Sequence, residues 1–345
     1  MTDQDSSPQD DAVAEAALRV VEIAGGHYAA RALHLVVDLG LADMIADGRL
    51  SCVEIAAASA MDERAMLRIL RLLAVHGVFV EPAERVFALG ALGQALRAGR
   101  KHGAAAAVRM LSRSGMWEAA GNLGESLRTG QPMLESRRQR PLYQANSFAR
   151  AEALAAAMAG FHAGMHAGVA AGYDFSNAGL VVDIGGSTGL LLEAILRAHP
   201  HLRGLLFDRP PTAPVAKERL EAVGLGDRCG VLGGDFFQSV PAGGDIYLLA
   251  HVIHDWPESD AVRILTNCRR VLASEARLLI VEPVSGDSVA ELHATLIDAI
   301  LMSATGGGCR TLQEHSALLA QAGLALRTVS PIGRIASLME VVAAD

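Results

Sequence analysis

A chain of 345 residues, 51% apolar and 20% charged, is long enough for about two domains with buried cores. That excludes a small disulfide scaffold and a charge-rich disordered polymer. Thirty Lys and Arg against 38 Asp and Glu leave a net charge of −8, which lacks the cationic excess that nucleic-acid binding needs. Cys52, Cys229, Cys268 and Cys309 are widely separated and form no C-x-x-C pair. Neither a metal knuckle nor a disulfide framework is expected, and reduced thiols suit a cytoplasm.

The opening stretch, residues 1–11, is polar and acidic, has no apolar signal segment and reads as a disordered tail. From Val13 to about Ala98 the apolar spacing is helical, as in Ala30, Leu33, Val37 and Leu41. Within it, helices over 53–58 and 64–76, followed by short strands at 78–80 and 87–89 around Pro82, predict a winged helix-turn-helix over residues 12–100. Its second helix offers only Arg64, Arg68 and Arg71 to a DNA groove, so structural or dimer-forming use is favoured. Residues 101–172 continue as helices. Their last stretch, Leu154 to Gly172, is rich in Ala and Gly and holds His162 and His166, which makes a packed helix rather than a membrane span.

After a linker at 173–178 the pattern changes. Short apolar runs at 180–184, 204–207, 231–232, 246–249 and 278–281 read as buried parallel strands. Helical stretches at 190–198, 214–223, 260–271 and 292–303 lie between or after them. This alternation predicts an α/β domain over 173–345, a doubly wound Rossmann-like sheet. The runs at 324–330 and 335–342 fit an antiparallel edge.

The chemistry should lie where these strands end. Asp183 closes the first and is followed by Gly185-Gly186-Ser187-Thr188-Gly189, a turn without the G-x-G-x-x-G spacing of a dinucleotide site. A carboxylate there repels a pyrophosphate but pairs with a cation such as the ammonium or sulfonium of S-adenosylmethionine. Asp208, ending the second strand, is placed to accept from both ribose hydroxyls, or else caps a helix. Asp235 and Phe236, after the third strand, can take an adenine amino group and pack on its ring, or simply fill a loop. After the fourth strand, His254 is a candidate general base for a phenolic proton, with Glu282 after the fifth strand as the carboxylate that orients it. A hydrogen-bonded histidine of the strand–helix junction is the plainer reading. Asp255 either joins the site or caps a helix, and His251, His293 and His315 read as structural or surface residues.

Taken in order, Asp183 to Gly189, Phe207-Asp208, Gly234 to Phe237, His254-Asp255-Trp256 and Gly306 to Thr311 resemble the S-adenosylmethionine-dependent O-methyltransferases of the plant caffeic-acid type and their bacterial antibiotic-pathway relatives. The resemblance covers nearly the whole chain. It implies a homodimer interlocked through the winged-helix domain, an aromatic hydroxylated small molecule as acceptor, and no metal. It also implies that Gly185 lies near the cofactor's amino-acid part and that Met158, Phe161 and His162 line the acceptor pocket, although helical spacing alone places them in a core.

Three departures from the family pattern stand out. Ser187 replaces a glycine, Ala250 replaces a cofactor-touching lysine, and Cys309 replaces a glutamate beside the catalytic histidine. The last leaves His254 dependent on Glu282 alone and should favour a more acidic hydroxyl. Two rivals remain: the same fold and cofactor with N-methylation, decarboxylation or cyclisation, and a ligand-responsive winged-helix regulator that binds DNA.

Overall fold

The computed structural model describes residues 8–100, 103–133, 157–158, 162, 164–286, 291–333 and 335–344. The chain packs as two units, residues 1–112 and 113–345.

The first unit begins with α1 (Pro8–Asp38) and α2 (Leu41–Ile45). Proline needs no N–H partner in a first helical turn and an acidic residue suits the helix N-terminus, so Pro8 and Asp11 start a helix. The expected tail through residue 11 is corrected to that extent. Next come β1 (Leu50–Ser51), α3 (Cys52–Ser59), α4 (Glu63–Val75), β2 (Phe79–Ala83) and β3 (Val86–Leu89). Ser51 and Glu54 close a reciprocal cap on α3, and Asp62 accepts the Ala65 N–H at 2.8 Å to start α4. β2 and β3 form an antiparallel wing with β1 along its other edge. Leu41, Ile55, Leu70, Phe79 and Phe87 fill the core between them. Arg71, a cation of the would-be recognition helix, is clamped by Glu81 of the wing through two hydrogen bonds of 2.9 and 2.7 Å. The helices α5 (Ala91–Gln94) and α6 (Ala105–Ser112) complete the unit.

In the second unit, α7 (Ser114–Gly121), α8 (Leu123–Thr129) and α9 (Met165–Gly172) precede a seven-stranded sheet. Its strands are β4 (Leu180–Ile184), β5 (Arg203–Asp208), β6 (Cys229–Gly233), β7 (Ile246–Ala250), β8 (Arg277–Glu282), β9 (Leu324–Ile332) and β10 (Ala336–Ala343). They lie in the order β6-β5-β4-β7-β8-β10-β9, with the five strands β4 to β8 parallel and β10 antiparallel to both of its neighbours, β8 and β9. The helices α10 (Leu190–Ala198), α11 (Ala213–Ala222), α12 (Glu258–Val271), α13 (Glu291–Ala304) and α14 (Leu312–Gln321) complete the fold. Because both faces of the sheet are covered, β4, β7 and β8 are nearly uniformly apolar. One core contains Leu192, Ile195 and Leu206, and the other Ile184, Tyr247 and Ile264.

Register decides where the chemistry falls. Ile184 pairs with Phe207, Asp208 with Gly233, and Ala250 with Val281. The carboxyl ends of the five parallel strands therefore align along one edge. The strand order reverses between β4 and β7, which makes that edge a crevice for ligands.

Candidate functional site

At the end of β4 the backbone turns sharply. Gly185 has φ +72°, and a Cβ there would come within 2.9 Å of Val252. Gly186 rides over the Asp183 carboxylate, where a Cβ would meet Oδ2 at 2.5 Å. Ser187 occupies the left-handed region at φ +53°, which a residue with a Cβ adopts at a cost of about 1 kcal/mol. Beneath this turn Asp183 is buried, and its Oδ2 accepts no hydrogen bond from the described residues. Burial, with Asp208 nearby adding repulsion, pushes its carboxyl up to about 7. A buried acid with one oxygen unsatisfied suits a cationic ligand group.

Asp208, also buried, accepts the Ser187 N–H on Oδ2 at 2.8 Å and the Arg209 N–H on Oδ1 at 2.7 Å. Burial raises its carboxyl above the usual range, and the two N–H donors pull back against it. Each oxygen keeps a second lone pair, enough for two hydroxyls of a ribose. After β6, the exposed Asp235 accepts the Phe237 N–H on Oδ1 at 2.9 Å, and Phe236, Phe237 and Trp256 meet edge to face at centroid distances of 4.9, 5.9 and 4.8 Å. Asn267 on α12 donates to the Phe236 carbonyl at 2.8 Å and anchors this aromatic corner. Groups whose chemistry suits a cation, a ribose and an adenine thus lie along one edge.

β7 ends in a single 3-10 turn, Ile253–Asp255, which buries His254. An Asp255 carboxylate oxygen stands 3.6 Å from its Nε2. Glu282, fully buried at the end of β8, accepts the backbone N–H of His254 on Oε1 at 3.0 Å. Its carboxylate therefore holds the turn that carries the histidine. Burial pushes the Glu282 carboxyl up to about 7 despite the N–H donors of the turn and Arg310. Arg310 itself donates to the carbonyls of Ile253 at 3.1 Å and Trp256 at 2.8 Å. Gly307 lies so close to this backbone that a Cβ would fall 2.1 Å from the His254 carbonyl oxygen, which in turn accepts the Gly308 N–H at 2.9 Å.

The expectation that Glu282 orients the His254 ring is corrected: Glu282 holds the backbone N–H of His254, and the carboxylate recorded beside the ring is that of Asp255. Nothing then singles out an acidic hydroxyl as the preferred acceptor. Cys309 is half-buried, and burial, with Asp298 and Glu282 adding to it, pushes its thiol up to about 12. It therefore stays a neutral thiol.

His162 stacks on His251 at a centroid distance of 3.8 Å, and His251 meets His254 edge to face at 5.1 Å. Met158 is half-buried, while Phe161 falls outside the described residues. His251 and His315 are buried. The sequence reading set both aside, yet His251 has φ +52° and its Nε2 lies 3.0 Å from the Met165 sulfur. Left-handed backbone at a residue other than glycine is not legible from residue type. Among the described residues, no three His, Cys, Asp or Glu side chains gather to hold a metal ion.

The O-methyltransferase domain family matches residues 143–325, and the O-methyltransferase dimerisation domain family matches residues 21–98. The chain belongs to the S-adenosylmethionine-dependent O-methyltransferases. It is 36% identical to the mitomycin biosynthesis 6-O-methyltransferase of Streptomyces lavendulae over 91% of this chain and 90% of that one. The structure of the mitomycin 7-O-methyltransferase MmcR superposes with a TM-score of 0.88 at 35% identity, covering 97% of this chain and 99% of that chain. NcsB1, an O-methyltransferase from neocarzinostatin biosynthesis solved with S-adenosylmethionine and 2-hydroxy-5-methyl naphthoic acid, superposes with a TM-score of 0.77 at 33% identity over 91% and 95% of the two chains. Relatives at 30 to 32% identity include N-methyltransferases.

Proposed function

We propose that this enzyme methylates a hydroxyl group of an aromatic secondary metabolite, with His254 as general base. The observation that carries this reading is the placement of a buried imidazole, 3.6 Å from the Asp255 carboxylate, one strand over from the Asp183–Gly185 turn on the same sheet edge. Bound S-adenosylmethionine supplies an electrophilic sulfonium methyl group. Asp183 and the glycine turn hold its amino-acid part, Asp208 its ribose, and Asp235 with Phe236 its adenine. His254 takes the acceptor's proton as the oxygen becomes nucleophilic, and Asp255 stabilises the imidazolium that forms. Excluding water from the buried turn strengthens that interaction. Met158, Phe161, His162 and Cys309 border the acceptor.

In this reading residues 12–100 serve dimerisation, 101–172 lead to and line the acceptor site, and 173–345 hold the cofactor. Val13, Leu18, Val20, Val21, Ile23 and Tyr28 are all exposed on α1, an apolar surface that a second copy of the chain would cover in a homodimer. Four free thiols suit a cytoplasmic setting, and no described helix is long and apolar enough to cross a membrane.

The test is mass spectrometry of purified protein with S-adenosylmethionine and a panel of phenols, hydroxyquinones, hydroxyphenazines and matched aromatic amines. A gain of one methyl on a hydroxyl, lost by about 10²-fold or more in His254→Ala, is expected. Transfer that survives the substitution would rule out His254 as base, and transfer only to amines would favour N-methylation.

A further inference from the structure

Glu282 meets more than the turn it holds. Its second oxygen, Oε2, is buried and has no hydrogen-bond partner among the described residues, and Nε2 of His315 stands 3.9 Å from it. His315 lies on the first turn of α14, is 1% exposed, and has both ring nitrogens buried without hydrogen-bond partners among the described residues. Two buried polar atoms, neither with a hydrogen-bond partner among the described residues, thus face each other across a gap slightly longer than a hydrogen bond. Leaving either one unsatisfied is costly, and a hydrogen bond between them would satisfy both.

We propose that His315 is a positioning residue of the active site, which shares a proton with Glu282 and so sets the charge of the carboxylate that holds the His254 turn. When the pair is protonated, the Oε2–H of Glu282 donates to Nε2 of a ring whose proton sits on Nδ1. When one proton leaves to solvent, the ring proton sits on Nε2 and donates to the Oε2 carboxylate. The ring is neutral in both states, in keeping with a basicity that burial, followed by the Arg310 charge, lowers to about 4. Glu282, by contrast, is held near neutrality.

The surrounding charged and titratable groups come from four directions. Arg310 and the Cys309 thiol lie on the loop before α14, and Glu314 lies on α14. His254 and Asp255 lie on the 3-10 turn, and Asp298 lies on α13 beyond Cys309. From β10 the residue opposite Glu282 is the uncharged Ser337. Of these, Arg310 favours the carboxylate, while Glu314 and Asp255 oppose further negative charge.

The inference rests on His254 as base, because an ionised Glu282 behind the turn favours the imidazolium that turnover forms. Activity should therefore rise with pH as the pair loses its proton. His315→Phe keeps the ring volume but removes both the Nε2–H donor to the carboxylate and the weaker Nε2 acceptor of the neutral acid, so the acid limb of kcat should move up by about one pH unit. His315→Gln lacks the ring but places an amide donor near Nε2, and should return the limb towards its original position. A role in packing alone predicts the opposite order, with Phe neutral and Gln disruptive. Should the Phe variant not fold, His315→Asn, whose amide sits nearer Nδ1, serves as the donor-displaced control.

The proposal is overturned if the wild-type and Phe profiles superimpose, or if Phe and Gln shift the limb equally. The protonated-carboxyl infrared band, assigned by its loss in Glu282→Gln, reads the pair without turnover. A band that titrates near neutrality and moves in His315→Phe supports the pair even if His254→Ala stays active, which separates failure of the base from failure of this inference. A band that ignores the substitution refutes it.

Discussion

At Asp183, burial and function pull in opposite directions. The carboxyl ordinarily ionises near 3.9 and is pushed up to about 7 in the folded chain. The folded state therefore holds its proton more tightly than the unfolded state, so the group's stabilising contribution is complete below about 4 and is lost as pH rises through 7. Asp183→Asn removes that penalty. Without cofactor, the variant should be more stable than wild type at pH 8 by about 1 to 3 kcal/mol and close to it at pH 4, as read by thermal melts at the two pH values. The same variant should lose cofactor binding by calorimetry, because an amide offers a cation no full charge. Equal pH dependence in both proteins would contradict the assigned shift. Legibility in the sequence was uneven at this scale. Asp183 and Asp208 lie at the ends of strands and His254 four residues beyond one, so all three could be located by counting. His251 and His315 could not, because a lone histidine carries no sign of the backbone angle or of the partner it will meet.

At the scale of single elements, caps and close approaches secure the site. Thr311 and Glu314 form a reciprocal cap on α14, with the Thr311 N–H donating to Glu314 at 2.8 Å and the Glu314 N–H donating to the threonine oxygen at 3.2 Å. Thr311→Ala should cost about 1 kcal/mol of stability in denaturant unfolding. Because that helix start carries both Arg310 and His315, it should also lower kcat more than it raises KM. An unchanged kcat would mean the cap is remote from turnover. Strands and helices of the second unit were largely readable, since apolar runs of two to five residues alternate with helical stretches of nine or more. The start of α1 was misread because a polar acidic opening serves a helix N-terminus as well as it serves a coil.

For the molecule as a whole, α1 would connect fold to assembly in the proposed homodimer. An exposed apolar run of this kind marks an interaction surface. Val21→Asp together with Ile23→Asp should shift the protein from dimer to monomer in sedimentation, while leaving the circular dichroism of the second unit intact. A dimer that persists in the double variant would place the interface elsewhere. Cofactor binding should raise the melting temperature as well, since ligand at about 100 times its Kd adds about 2.7 kcal/mol, and this gain should be missing in Asp183→Asn.

Periodicity and punctuation sufficed to determine the two-part α/β organisation, the parallel sheet and the edge where Asp183, Asp208, Asp235 and His254 emerge, because each depends on local spacing along the chain. Only the tertiary structure decided what those residues meet. Glu282 grips the main chain of His254 and faces His315, Asp255 takes the place beside the ring, and Gly307 lies against the His254 carbonyl. Those contacts depend on strand register and on how α14 packs, and a one-dimensional pattern reports which face of an element is buried without reporting what lies across from it.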